Sequence, residues 1–276
     1  MGIRFLNSYL NRHCSSIRTI PFSSIAGSTV VIDTSIYLYK FKALNTLLDS
    51  MKQLLELFQK YSITPIFVFD GKPKPNKKQT LIKRQKEKAE AWEKYLKVKN
   101  TESKDTLQKL RNQYIRVNQT DVESIKQMMD TFQIRYIQAP HEADEICARM
   151  MYQAEYCMSD DMDMFAYGCP TILRCVNIHT ETMLLYNLKE ILEELHISKK
   201  DFQLICSASG TDYSDSTLTI YDWFHKYDSF IKAGGTDFYE CIKVSNQFDI
   251  LSKEFDYLDD FILPSSGNAG SCIAEG

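Results

Sequence analysis

Two short apolar runs stand out against a polar chain. "STVVID" (28–33) and "TPIFVFDG" (64–71) are rich in β-branched and aromatic residues and end in an aspartate. Runs of this length without polar alternation predict strands buried on both faces. Between them, Leu47, Leu48, Met51, Leu54, Leu55 and Phe58 recur at helical spacing, which predicts an amphipathic helix over about 45–61. Strand, helix and strand at this spacing make a βαβ unit with a parallel sheet.

The pattern breaks between 72 and about 112, where no apolar strand run occurs and "KKQTLIKRQKEKAEAWEKYLKVKN" predicts charged helices. Alternation returns with a helix over 119–133, a strand at "IRYIQ" (134–138) and a helix opened by "AP" (139–140). Strands "EYCM" (155–158) and "TILRCV" (171–176) follow, then mostly helix after 187 with "GTDY" (210–213) as a loop. The tail "PSSGNAGSCIAEG" (264–276) reads as disordered. The expected fold is α/β, a mostly parallel central sheet flanked by helices with a charged helical insertion.

Charge sharpens the insertion. Residues 72–116 hold 15 Lys/Arg against 5 Asp/Glu, a net of +10, so the remainder stands at −13 within a total of −3. A basic island in an acidic chain suggests a polyanion partner on one side and something cationic on the other. Eight cysteines without a CxxC pair read as buried free thiols of a reducing compartment rather than a zinc site. The chain shows no signal peptide and no apolar run of spanning length, so neither secretion nor a membrane is expected.

The acids fall where ligands bind in an open parallel sheet, beyond the carboxyl ends of the strands. Asp33 and Asp70 end two strands, Asp160, Asp161 and Asp163 follow a third, and Glu142, Asp144 and Glu145 follow a fourth. Any one of them could be a helix N-cap; four strand ends delivering acids to one edge is a constellation. Carboxylates without His or Cys suit Mg²⁺ or Mn²⁺. Six or seven exceed the needs of one ion, whereas a pair about 3.5–4 Å apart would use them in phosphodiester hydrolysis. The basic insertion would then hold the phosphate backbone.

Six stretches in order, "MGI", "VIDTSIYLYKF" (31–41), "PIFVFDGKPKPNKK" (65–78), "APHEADEICA" (139–148), "SDDMDMFAYG" (159–168) and "SGTDY" (209–213), resemble the flap endonuclease/XPG family of structure-specific 5′-nucleases. The resemblance runs from residue 1 to about 213. It implies a PIN-like sheet in a single nuclease domain over 1–263: an N-terminal nuclease region (1–100), a helical arch (about 72–115) and an internal nuclease region (about 119–230). It implies two Mg²⁺ per site, with Mn²⁺ able to substitute. Asp33, Asp70, Glu142 and Asp144 would serve chiefly one ion, and Asp161, Asp163 and Asp212 the other. Asp160 stands where the family has Glu and is not expected as a ligand. Periodicity alone does not choose Asp144 over Glu145; the resemblance does.

The same resemblance makes Lys77 and Arg84 the two basic arch residues over the reacting phosphate. They are seven apart, on one helical face, though a solvated lysine-rich face would look the same. Tyr39 matches an aromatic that stacks a base, with a core tyrosine as the alternative, and Gly2 matches a glycine close to DNA. Lys72, Lys74, Lys78 and Lys83 are the remaining candidates for nucleic-acid contact. The implied activity is 5′-flap endonuclease and 5′–3′ exonuclease action on branched DNA in replication, repair or recombination, by a monomer in the nucleus. A same-fold nuclease acting on RNA, or a non-catalytic nucleic-acid scaffold, are the alternatives, and a compact viral form is one reading of the length.

Two family features are altered. The helix–two-turn–helix that follows the "GSDY" motif usually carries glycines and often binds K⁺, yet 214–230 contains none. The sliding-clamp motif is degenerate in "FDYLDDFI" (255–262), with Phe255 where Gln belongs.

Overall fold

The computed structural model describes residues 2–73, 78–210 and 216–243. Seven strands form one sheet in the order β1-β7-β6-β5-β2-β3-β4. The strands are β1 (Arg18–Pro21), β2 (Thr29–Asp33), β3 (Thr64–Phe69), β4 (Arg135–Gln138), β5 (Tyr156–Met158), β6 (Thr171–Asn177) and β7 (Thr182–Asn187). The five from β6 to β4 are mutually parallel, and β7 and β1 add an antiparallel margin.

The apolar runs explain the layering. Along β2, Val31 faces one core while Val30 and Ile32 face the other; along β3, Ile66 and Val68 oppose Phe67 and Phe69. Burial on both faces is why these strands show no polar alternation. One face is covered by α2 (Thr34–Ala43), α3 (Leu47–Lys60) and α6 (Gln119–Thr131). The other is covered by α1 (Leu6–His13), α7 (Ala143–Arg149), α8 (Asp163–Ala166), α9 (Leu188–Glu194), α10 (Lys199–Ala208), α11 (Ile220–Lys232) and α12 (Phe238–Lys243).

The basic insertion is a helical hairpin of α4 (Lys78–Val98) and α5 (Lys104–Tyr114). Ala91 is the sole residue of α4 in the buried core among the described side chains, and α5 buries none. It meets the body through polar contacts: Gln108 donates to the Ala43 carbonyl at 2.9 Å, and Arg111 donates to the Asn45 side chain.

Three sequence expectations need correction. The helix expected to open at "AP" starts at Ala143, because the Gly71 N–H takes the His141 carbonyl (2.5 Å) and the Lys72 N–H takes that of Pro140 (3.2 Å). Strands β1 and β7 were not anticipated. Cys175 is exposed at an irregularity of β6, whereas Cys14, Cys147, Cys157, Cys169 and Cys206 are buried free thiols as expected. Among the described residues no helix is long and apolar enough to cross a membrane.

Candidate active site

Strand β2 lies at the switch point of the parallel sheet: the chain continues to β3 and β4 on one side and returns to β5 and β6 on the other. A crevice therefore opens at the carboxyl end of β2. Asp33, Asp70, Glu142, Asp144, Asp160 and Asp161 wall a cavity of about 500 Å³ there, with Tyr39 and Arg84 across from them.

Three of these acids, Asp33, Asp70 and Asp161, are tied to the backbone or hydroxyls behind them. Asp33 is only 6% exposed. The Ser159 hydroxyl donates to Asp33 Oδ2 (3.1 Å) and accepts the Asp161 N–H (3.1 Å), coupling the ends of β2 and β5. Asp161 Oδ1 accepts the Asp163 N–H at 3.0 Å. Asp70 accepts from the Ser35 hydroxyl and, through Oδ1, from the Ala143 N–H at 2.8 Å. It thereby caps the first turn of α7, the helix that presents Asp144. Gly71 permits this: a Cβ there would fall on the carbonyls of Ala139 and Pro140.

Gly2 serves a similar purpose at the other end of the cluster. Its φ of +85° suits glycine, and a Cβ would collide with the carboxylates of Asp161 and Asp163. Gly2 thus lies directly on the acids that follow β5.

The electrostatics follow from this crowding. Burial, then the charges of Asp70, Asp144 and Asp161, push the Asp33 pKa well above the usual carboxylate range, with the Ser159 hydroxyl pulling it back. A cation among these oxygens would relieve that repulsion. Among the described residues no three acids are arranged to close on one ion by themselves. A cavity walled by spread carboxylates fits a hydrated hard cation such as Mg²⁺, which keeps several waters and takes only one or two carboxylates.

The structure separates the neighbouring acids. Glu145 pairs with Arg149 at 2.7 Å, while Asp144 faces the cavity. Asp160 Oδ1 accepts the Cys175 N–H at 2.6 Å, which ties this side chain to β6. Asp163 is buried beneath Gly2. Asp212, Lys77 and Lys74 lie outside the described residues, as do "GTDY" beyond Gly210 and the clamp-like 255–262. Lys78 opens α4, its side chain outside the description; Lys72 and Lys83 are exposed and line neither this cavity nor the next.

A second cavity, of about 830 Å³, adjoins the first and shares Tyr39, Leu81 and Arg84 with it. It lies between the arch and the body and presents Lys88, Lys94 and Arg116 together with Glu87 and Glu90, a net positive wall once Arg84 is included. Lys88 Nζ stands 4.9 Å from the Tyr39 ring centroid. Burial, then Arg116 and Arg84, lower the Lys88 pKa. Tyr39 is 40% exposed, a ring on the wall of both cavities rather than a core tyrosine.

Several residues in this architecture were not anticipated. Arg174 is buried; it donates to the Asp160 carbonyl (2.8 Å) and to Asn7 Oδ1 (2.9 Å), and packs over the Tyr186 ring. Tyr186 in turn donates to Asn7 at 2.8 Å. These contacts join the loop bearing Asp161 to α1, which follows Gly2. An arginine inside the apolar run "TILRCV" is the signal that marked it. Lys88 lies one turn beyond Arg84 on the same face, so spacing could have found it; nothing local distinguishes Arg116.

Two family models match: the XPG N-terminal domain over residues 1–91 and the XPG I-region over 133–212, together well over half of the chain. The chain belongs to the XPG family. Flap endonuclease 1 of Glycine max is 28% identical over 238 residues, covering 78% of this chain and 62% of that protein. The fold of this XPG-family chain is also that of the catalytic core of Rad2 in complex with DNA substrate (TM-score 0.61, 18% identity, 94% of this chain and 81% of the other). It matches the Holliday junction-resolving enzyme GEN1 in complex with product DNA and Mg²⁺ as well (TM-score 0.53, 20% identity, 82% and 50%). The chain spans about three fifths of the length of the curated relatives it matches.

Proposed function

We propose that this protein is a metal-dependent nuclease that hydrolyses phosphodiester bonds at 5′ flaps and 5′ ends of branched DNA, with Mg²⁺ or Mn²⁺ as cofactor. The observation that carries the reading is the single cavity into which four strand ends deliver acids, faced by an arch arginine and continued by a basic chamber.

In this reading Asp33, Asp70, Glu142 and Asp144 would serve chiefly one hydrated ion, one or two of them directly and the others through its waters, and Asp161 and Asp163, joined by Asp212, would serve a second. When bound, the ions acidify a water and offset charge on the phosphate. The chain's own residues do the rest. Ser159, Ser35 and the Ala143 N–H fix the carboxylates before substrate arrives. Arg84, with Lys77, stabilises charge that grows on the transferring phosphate. Tyr39 offers a ring for a base beside the reacting bond. No side chain is needed as nucleophile.

The test is a panel of 5′-labelled double flap, nicked duplex, blunt duplex and single-stranded RNA, each with Mg²⁺ and with EDTA. Cleavage at the base of the double flap, abolished by EDTA, is expected. Preferential cutting of RNA would favour an RNA nuclease. Binding of the flap without cleavage would favour a scaffold. Full activity in EDTA would remove the metal reading.

A further inference from the structure

The arch carries an aromatic cluster that the acid cavity does not use. Trp92, in the middle of α4, stacks on Tyr95 with ring centroids 5.7 Å apart and planes 16° from parallel. Tyr114 of α5 meets Trp92 edge-on at 4.9 Å and lies 5.3 Å from Tyr95. The two tyrosines are half-buried, yet the indole they hold is 45% exposed. A hairpin joint built only for stability would cover its largest apolar ring first. Here one face and one edge of the indole are fixed and the remainder meets solvent.

Its surroundings carry an excess of cations. Lys88 and Lys94, on α4 to either side of Trp92, line the neighbouring cavity with Arg84 and Arg116, four cations against the carboxylates of Glu87 and Glu90; Trp92 itself lies beside that cavity, next to its lining residue Ala91. A fixed aromatic face beside an excess of cations matches one class of ligand: unpaired nucleic acid, whose bases offer π-faces and whose phosphates seek the cations. A duplex hides its base faces within the stack, so only its phosphates could be met here.

We propose that Trp92 is a stacking platform for an unpaired base of the single strand that leaves the cleavage site along the arch. This deepens the proposed action on flapped DNA and rests on it. Arg84 lies two turns before Trp92, about 12 Å along the helix. The platform therefore serves a base a few nucleotides from the reacting phosphate and is out of reach of a flap of one nucleotide.

The protein holds two tryptophans. Trp223 is 2% exposed and its Nε1–H is bonded to the Ala208 carbonyl, so quenching by nucleic acid reports on Trp92. The experiment titrates the whole protein, in EDTA to prevent cleavage, with two junctions labelled on the duplex. One has a single-nucleotide 5′ flap and the other a flap several times longer than the 12 Å span. Anisotropy reports binding and tryptophan emission reports stacking. Both junctions should bind, with only the longer one quenching emission. Trp92→Leu should weaken the longer junction about 5-fold or more, the lower end of base–aromatic stacking, and leave the shorter unchanged. Trp92→Tyr, which can still stack, should retain most of the affinity.

Binding without quenching overturns the platform. So does an equal loss on both junctions in Trp92→Leu and Trp92→Tyr, which would make Trp92 only a hairpin joint. No anisotropy change with either junction overturns the flapped-DNA reading, and the platform falls with it.

Discussion

The acid edge and the arch face each other across one cavity, and they are built on opposite principles. The edge hangs from strands whose Val30, Val31, Ile32, Phe67 and Val68 are wholly buried, and its carboxylates are held by hydroxyls and backbone N–H groups. The arch contributes almost nothing to a core and rests on the corner between α2 and α3 through Gln108 and Arg111. On the proposed function, groups that must be placed before reaction would sit on the rigid element, and groups that must admit a polymer on one with few buried contacts. The difference teaches where substitutions should be felt: chemistry at the edge, rate and reach at the arch.

The largest expected effect breaks the edge alone. Asp161→Asn or Asp70→Asn should bring cleavage to assay background while flap affinity stays within a few-fold, since the acids serve chemistry more than grip. Single-turnover cleavage and anisotropy check the pair. Cleavage retained within 10-fold of the parent would remove the residue from the metal site. Next comes the arch: Arg84→Ala should lower the single-turnover rate at saturation by about 10²-fold, the scale of a lost preorganised charge. Its melting temperature should hardly move, because the arch buries so little. A loss confined to affinity would reduce Arg84 to a backbone contact.

The same contrast governs what the chain announced in advance. Strands β2 and β3 were legible because burial on both faces leaves unbroken apolar runs, and their terminal acids were legible because sheet topology fixes where such residues gather. The choice of Asp144 over Glu145 was not legible in the periodicity, since both lie in the first turn of α7; the family resemblance made it, and the structure adds that Glu145 is engaged by Arg149. Strand β1 is four residues, mostly exposed, at the sheet margin. The β6–β7 connection turns at Glu181 with φ +51°, without the glycine or Asn-Gly that marks a hairpin. The footing of the arch was illegible because polar contacts such as Gln108 to Ala43 leave no periodic trace.

Arg174→Lys sharpens the comparison from behind the edge. Lysine keeps the charge but loses the fork that reaches the Asp160 carbonyl and Asn7 together. Affinity for Mn²⁺, measured by calorimetry without DNA, should fall about 10-fold, as when a ligand's supporting partner is lost. Unchanged Mn²⁺ affinity would make Arg174 a packing residue. Any loss of stability should appear as a lower melting temperature in metal-free protein.

A smaller effect comes from the acids' own repulsion. The Asp33 pKa is raised in the folded state. Between the ordinary carboxylate range and that raised value, the folded chain keeps a proton that the unfolded chain has lost. Stability of metal-free protein should therefore fall as pH rises through this window and level off above it. Asp33→Asn should remove that fall and raise the metal-free melting temperature at neutral pH by about 2–4 °C, the shift of roughly 1 kcal/mol in a domain this size. Added Mg²⁺ should raise the melting temperature of the parent more than that of the variant. A lower melting temperature in Asp33→Asn would show that its contact with Ser159 outweighs the repulsion.

The smallest effect concerns the segment where family glycines are missing. The Ser216 hydroxyl accepts the Leu218 N–H and donates to the Leu218 carbonyl, so it is spent on its own turn. At the start of α11, Thr219 and Asp222 form a capping box, the Asp222 carboxylate accepting both the N–H and the hydroxyl of Thr219. Those bonds lower the Asp222 pKa, which keeps a negative charge where a phosphate would approach the helix N-terminus. On the proposed function, duplex would then be held chiefly by Lys and Arg side chains elsewhere. Affinity for flap DNA should fall by roughly 0.9 log units per log unit of salt for each phosphate neutralised. It should be the same in KCl and NaCl at matched ionic strength. Tighter binding in KCl would show that backbone carbonyls in this segment still hold a cation, and that glycine is not required for it.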